Sequence, residues 1–261
     1  MKKGLFLDFF YSLIRFISPY TKTKLTFMNK AMISKKLYLK EKNEKYLSAA
    51  YNGQVVCVYY FLQSKQIKEV SLNYAAYGGQ RKLCEILIQL GIDDMFFNNA
   101  LSRAAFGGHL SLCVWFIKQG ASRVDWALWD AAKGGHLDVC ILMLRLGAKN
   151  FNDALAQSAC KGHFEICEKM IESGANNFNN ALVHAAEGGK LYLCELFLTL
   201  GADDVNSALV WAAFNGHLNV CKRMIDLGAT NLNRALTLAA YNGHSDVYVW
   251  IRKKYNERGI T

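Results

Sequence analysis

Glycines recur along this chain with a fixed beat. Gly53, Gly79, Gly108, Gly135, Gly162, Gly189, Gly216 and Gly243 are separated by 26, 29 and then five intervals of 27 residues. Cys57, Cys84, Cys113, Cys140, Cys167, Cys194 and Cys221 keep step, at 27, 29 and four intervals of 27. Two residue types sharing one period in the 20 to 50 range define a stack of structural repeats, each contacting mainly its neighbours.

The most regular units read Ala-Leu-x-x-Ala-Ala-x-x-Gly-His-Leu-x-Val-Cys-x-x-Met-Ile-x-x-Gly-Ala, as from Ala208 to Ala229. Each unit holds two helices. Asn98, Asp125, Asn152, Asn179, Asn206 and Asn233 stand two residues before the first helix's Ala-Leu pair, where an Asn or Asp is expected to cap the free N–H groups of the first turn. Small residues such as Ala104 and Ala105 let neighbouring helices approach. The glycines then turn the chain. In the second helix, Leu137, Val139, Cys140, Met143 and Leu144 form a stripe of period 3.6, not a strand alternation. That helix ends at Gly120, Gly147, Gly174, Gly201 or Gly228, the left-handed residue expected just past a helix. Pro occurs once, at Pro19, so no helix of the array is broken by it. The last unit replaces apolar residues with Ser245, Tyr248 and Arg252, as a repeat without an outer neighbour should.

These landmarks (Ala-Ala, Gly-His, an aliphatic pair, Gly-Ala) resemble the ankyrin repeat over about four fifths of the chain. Ankyrin repeats run to about 33 residues, and roughly six are missing here between Gly-Ala and Ala-Leu, where the family carries its projecting β-hairpin finger. Ala-Leu also replaces the family's Thr-Pro-Leu-His. The resemblance therefore implies an all-α, ankyrin-type α-solenoid of stacked helix-turn-helix repeats with the β-hairpin fingers largely lost. The shortened units resemble the ankyrin-like proteins of large DNA viruses. What the resemblance implies about function is a non-catalytic scaffold that binds a partner protein, as a monomer and without a cofactor.

The division of charge sets the domain expectation. Residues 1–45 hold ten lysines and Arg15 against Asp8, Glu41 and Glu44, a net +8 of the chain's +10, leaving +2 for residues 46–261. Residues 46–261 are read as the solenoid of about eight repeats with a C-terminal cap, and 1–45 as a basic N-terminal segment. A near-neutral array lacks the clustered cations of a phosphate-tracking groove, so no nucleic acid is expected. Residues 4–18 read as a helix with Asp8, Ser12 and Arg15 on one narrow face. Three readings fit: a cover for the open edge of the first repeat, an interfacial membrane anchor through residues 1–20 aided by nearby lysines, or an uncleaved signal-anchor. A translation start at Met28 is the further alternative.

Four units place His and Cys four residues apart (His109 and Cys113, His136 and Cys140, His163 and Cys167, His217 and Cys221), on one helical face. Metal ligation is the sharper reading. Core packing is the stronger one, since the same Cys follows Gln80 and Lys190 without His. The histidines are expected to order the inter-helix turn through backbone hydrogen bonds. Helices 8 to 10 Å apart keep successive cysteines beyond disulfide reach, and free thiols indicate a reducing compartment, cytoplasm or nucleus. No catalytic, cofactor or metal motif is apparent.

Binding is expected on the first helices, at the positions flanking Ala-Ala that would face the concave side of an ankyrin stack. In order along the chain they are Tyr74 and Tyr77, Arg103 and Phe106, Asp130 and Lys133, Gln157 and Lys161, His184 and Glu187, Trp211 and Phe214, Leu238 and Tyr241. Tyr74, Tyr77, Arg103, Phe106, Trp211, Phe214 and Tyr241 are the expected contact residues, because exposed aromatics and Arg dominate binding energy.

Overall fold

The computed structural model describes residues 65–257, with a turn at Asn52. The N-terminal helix, the basic segment 1–45 and the repeat around Gly53 and Cys57 lie outside the described residues. Within them the chain is helical throughout, with no strand.

Seven first helices form one layer: α1 (Lys65–Tyr77), α3 (Phe97–Phe106), α5 (Val124–Gly134), α7 (Phe151–Lys161), α9 (Phe178–Glu187), α11 (Val205–Phe214) and α13 (Leu232–Tyr241). Seven second helices form the other: α2 (Arg81–Gln89), α4 (Leu110–Lys118), α6 (Leu137–Arg145), α8 (Phe164–Glu172), α10 (Leu191–Thr199), α12 (Leu218–Asp226) and α14 (Ser245–Glu257). Each first helix packs on the one before it and on its own second helix, while successive second helices touch far less. The cause is the alanine pair. Ala104, Ala105, Ala131, Ala132, Ala185, Ala186, Ala212 and Ala213 have no solvent exposure, and their short side chains bring first-helix backbones together. Leu112, Cys113 and Phe116 of α4, and their counterparts in each repeat, fill the space between the layers.

Both ends of the helix pair close as left-handed glycine caps. Gly120 (φ 104°) ends α4, with the Ala121 N–H bonded to the Phe116 carbonyl and the Gly120 N–H to Ile117, and Ala121 is buried behind it. The 29-residue interval is absorbed locally, by a turn of 3-10 helix at Asp94–Phe96 just before α3.

The regular spacing of Asn and Asp has a different meaning from the cap expected of it. The first helices begin one residue before Asn98, Asp125, Asn152, Asn179, Asn206 and Asn233, so these residues lie inside the first turn. Five of the six side chains reach into the next repeat. Asn98 Oδ1 accepts from the N–H groups of Ser122 and Arg123 (2.8 and 2.9 Å). Asp125 accepts from Lys149 and Asn150, Asn152 from Asn176 and Asn177, Asn179 from Asp203 and Asp204 (2.7 and 3.0 Å), and Asn206 from Thr230 and Asn231. Each clasp therefore holds the loop entering the following first helix. Actual cap bonds come from other residues, Asn177 to the Asn180 N–H and Asp204 to the Ser207 N–H. Asn233 occupies the same place in α13, and among the described residues no further loop follows for it to hold.

In α14, Ser245 and Arg252 are exposed, while Tyr248 is half-buried and packs on the core.

A clasp and a cap predict different mutants. Asn179→Ala removes two bonds to backbone N–H groups and should cost about 1–2 kcal/mol, whereas Asn233→Ala should cost under about 0.5 kcal/mol, as surface changes do. Urea unfolding of the two variants measures the difference, and equal losses would restore the cap assignment.

Candidate interaction face

Two rows of side chains stand out of the first-helix layer, and the backbone beneath them is tied from repeat to repeat. His136 Nε2 donates to the carbonyl of Phe106, the last residue of α3, at 3.1 Å. His109 bonds Tyr77 (2.8 Å), His217 bonds Glu187 (3.0 Å) and His244 bonds Phe214 (3.0 Å) in the same way. His163 bonds Lys133. A carbonyl can only accept, so Nε2 carries the proton in each of these bonds. The expectation of a histidine-to-backbone bond holds, but its partner is the helix end of the preceding repeat and not the histidine's own turn. These bonds satisfy carbonyls that a helix C-terminus leaves free.

The glycines are required by the same contact. Gly79 has φ 69°, and a Cβ there would stand 2.6 Å from His109 Nδ1. The histidine ring rests on the turn of the previous repeat, where no side chain fits.

Among the described residues the periodic cysteines lie in the core as small apolar residues. Cys84, Cys113, Cys140, Cys194 and Cys221 have no exposure, and burial pushes their thiols up to about 12; Cys167, beside the Ser158 hydroxyl (3.2 Å), is pushed to about 11. All stay protonated near neutrality. The histidine Nε2 is given to a carbonyl and the Cys is turned inward, as core packing of the pair requires. Cys160 differs: it is off the period and half-exposed.

The expected contact residues fall into two groups. On α1 and α3, Tyr74 is 37% exposed, Tyr77 and Phe106 pack with ring centroids 5.6 Å apart, and Arg103 is exposed. On α11 and α13, Trp211 (42% exposed) meets half-buried Phe214 edge-on at 5.6 Å, and Tyr241 is 85% exposed. Helices α5, α7 and α9 separate the groups, so the seven residues make two patches on one layer.

Two assignments in the middle need correction. Asp130 is only 8% exposed. Burial raises its carboxyl above the usual carboxylate range, opposed by Arg103, a Ser102 hydrogen bond and Lys133. The row written through Lys161 passes instead through Cys160, which lies two residues before Gly162 as Lys133, Glu187 and Phe214 lie two before Gly135, Gly189 and Gly216. Ser158 in place of the first alanine hid that register, and counting back from the glycine recovers it.

Residues 182–258 match the family model for Ankyrin repeats (3 copies). Among solved structures, the ankyrin repeat domain of human ASB11 superposes with a TM-score of 0.50 at 22% identity, covering 69% of this chain and 96% of that one. No curated protein matches the sequence. The fold is an ankyrin-type α-solenoid. No helix of the described residues is long and apolar enough to cross a membrane.

Two measurements test the chemistry of this layer. Iodoacetamide at pH 8 should modify Cys160 first among the described cysteines, the buried six reacting slower by a factor on the order of ten or more; peptide mass mapping reads the order. His163 is held below its usual 6.5, first by burial, with His136, Lys190 and Lys161 adding to it against the Lys133 carbonyl bond. A lowered folded-state value favours the neutral ring, so its contribution is present above about pH 6.5 and is lost as pH falls below that. Thermal unfolding of His163→Gln should therefore lose less stability than the parent chain between pH 7 and pH 5.

Proposed function

We propose that this chain is a non-catalytic scaffold that binds a partner protein through the first-helix face, the concave side in ankyrin stacks. The observation that carries this reading is the exposure of aromatic rings on a layer whose backbone is otherwise closed. Tyr241 stands in solvent and Trp211 is exposed against Phe214, while Ala212 and Ala213 between the Trp211 and Phe214 positions are sealed. Aromatic side chains held this way supply large contact area at little entropic cost. Tyr74, Tyr77, Arg103 and Phe106 form the second anchor. The shortened repeats favour a role alongside the ankyrin-like proteins of large DNA viruses, with a host protein as the partner to be occupied or relocated. Tethering at a membrane surface through residues 1–20 is the alternative, supported by the amphipathic pattern of that segment alone.

Affinity capture with the full chain and with a Trp211→Ala, Phe214→Ala, Tyr241→Ala triple variant tests the face. The parent should retain a protein that the folded variant releases. Equal retention by both would remove the aromatic face from the interaction, and pelleting of the chain with anionic vesicles, lost at high salt, would advance the tethering reading.

A further inference from the structure

We propose, resting on the first-helix face as the docking surface, that its middle selects an acidic segment of the partner protein.

Three cations gather where α5, α7 and α9 end. Lys133 and Lys161 close α5 and α7, and Lys190 stands at the turn after α9, in the place where five other repeats carry the tying histidine. That exchange removes the histidine tie at this helix end. Tyr192 donates its hydroxyl to the Gly162 carbonyl at 2.7 Å, two residues beyond the Cys160 carbonyl that a histidine would hold. Lys190 takes no part in that bond. Its stem lies against Gly162, where an added Cβ would meet Lys190 Cε at 2.9 Å.

The three ammonium groups share one neighbourhood. Lys133 and Lys161 end neighbouring helices, with Lys133 over the Trp129 ring at 4.9 Å, and the Lys190 stem lies on Gly162, next to Lys161; the Cys160 thiol feels Glu187 first and then all three lysines. Two nearby acids offset them only in part. Asp130 is buried behind Arg103 and Lys133, and Glu187 is engaged by His184 Nδ1 at 2.9 Å. Among the described residues, none of the three lysines is ion-paired with a carboxylate. Three lysines against one half-exposed carboxylate leave the patch net positive, and a ligand bearing carboxylates complements it. Aromatic patches at both ends of the layer supply apolar anchors on either side.

Spacing narrows the ligand further. Neighbouring helices lie about 8–10 Å apart, and an extended chain advances about 3.3 Å per residue. An extended segment with acidic residues three positions apart therefore meets Lys133 and Lys161 on adjacent helices, with Lys190 beside the second.

The probe is a fluorescein-labelled peptide with Glu at every third position between Gly and Ser, against the same peptide with Gln, read by anisotropy on the full chain. The Glu peptide should bind, weaken with salt, and lose affinity on the order of tenfold for Lys133→Gln, Lys161→Gln, Lys190→Gln combined, as three exposed ion pairs would. An equal loss of charge elsewhere, Lys118→Gln, Lys149→Gln, Lys253→Gln, should leave binding unchanged. Bound peptide should also slow alkylation of Cys160 in the unmutated chain, a readout that needs no variant to fold. The proposal is overturned if the Glu and Gln peptides bind alike, if neither binds, if both triple variants lose equally, if Cys160 is unprotected, or if single-stranded oligonucleotide binds more tightly than the Glu peptide and protects Cys160. If the peptide fails while the aromatic variant still releases its captured protein, acidic selection falls and the face itself stands.

Discussion

Each repeat of this solenoid leaves backbone groups without partners, and its neighbour supplies them. The N–H groups entering a first helix are held by an Asn or Asp of the repeat before, as Asn179 holds Asp203 and Asp204. The carbonyl ending a first helix is held by a side chain of the repeat after, as His217 holds Glu187. One set of bonds runs forward along the chain and the other runs back. Buried or half-buried backbone groups left unpaired are costly, so a repeat removed from its neighbours would lose at both edges. Stability in such an array is a sum of units and interfaces, and here much of the interface is hydrogen bonding at helix ends. The 29-residue interval fits this account. Its two additional residues fall within the Asp94–Phe96 turn region, and His109 still reaches Tyr77 across the longer gap.

The same bonds explain how the array dispenses with hairpin fingers. In the described loops, such as residues 173–177 between α8 and α9, no strand pairing is available. A single side-chain oxygen accepting two successive N–H groups fixes the loop instead. Close approach of the layers makes this possible. Alanine pairs draw first helices together, and the glycine at the turn admits the histidine ring where any Cβ would collide. The short period, the alanines, the glycines and the ties form one mutually dependent set.

Features that repeat were legible in the sequence, because the period itself reports them: the two helices, the glycine turns, the inward cysteines and the polar final helix. The partners of the ties were not. Asn and Asp near a helix start serve a cap and a clasp equally well, and a boundary two residues off decides between them. For Asn152 the local signal favours the cap, while the acceptor role points to Asn176 and Asn177 of another repeat. The histidine bond was foreseeable in kind but not in destination, since nothing local to His136 names Phe106. In the interaction face the positions could be read from the period, but exposure could not. Asp130 sits in a row of surface residues and is nevertheless covered, and Cys160 replaced Lys161 in the row once the register was counted from glycine.

The ties also determine which positions are free to specialise. They use the loop edge and the turn edge of each repeat, and leave the side chains flanking the alanine pair without a structural task. Those positions hold Tyr74, Arg103, Gln157, His184, Trp211 and Leu238 in one row, a mixture that a core or a helix cap would not tolerate. Specificity in a repeat scaffold resides in such surface residues rather than in the fold. Lys190 is the point where the two systems meet. It lies at a tying position and makes no tie, while Tyr192 in the first turn of the helix that follows bonds the Gly162 carbonyl, two residues beyond the one a histidine would hold. The inter-repeat bond at this edge is shifted rather than lost, so even the turn edge can be turned toward a ligand without opening the stack.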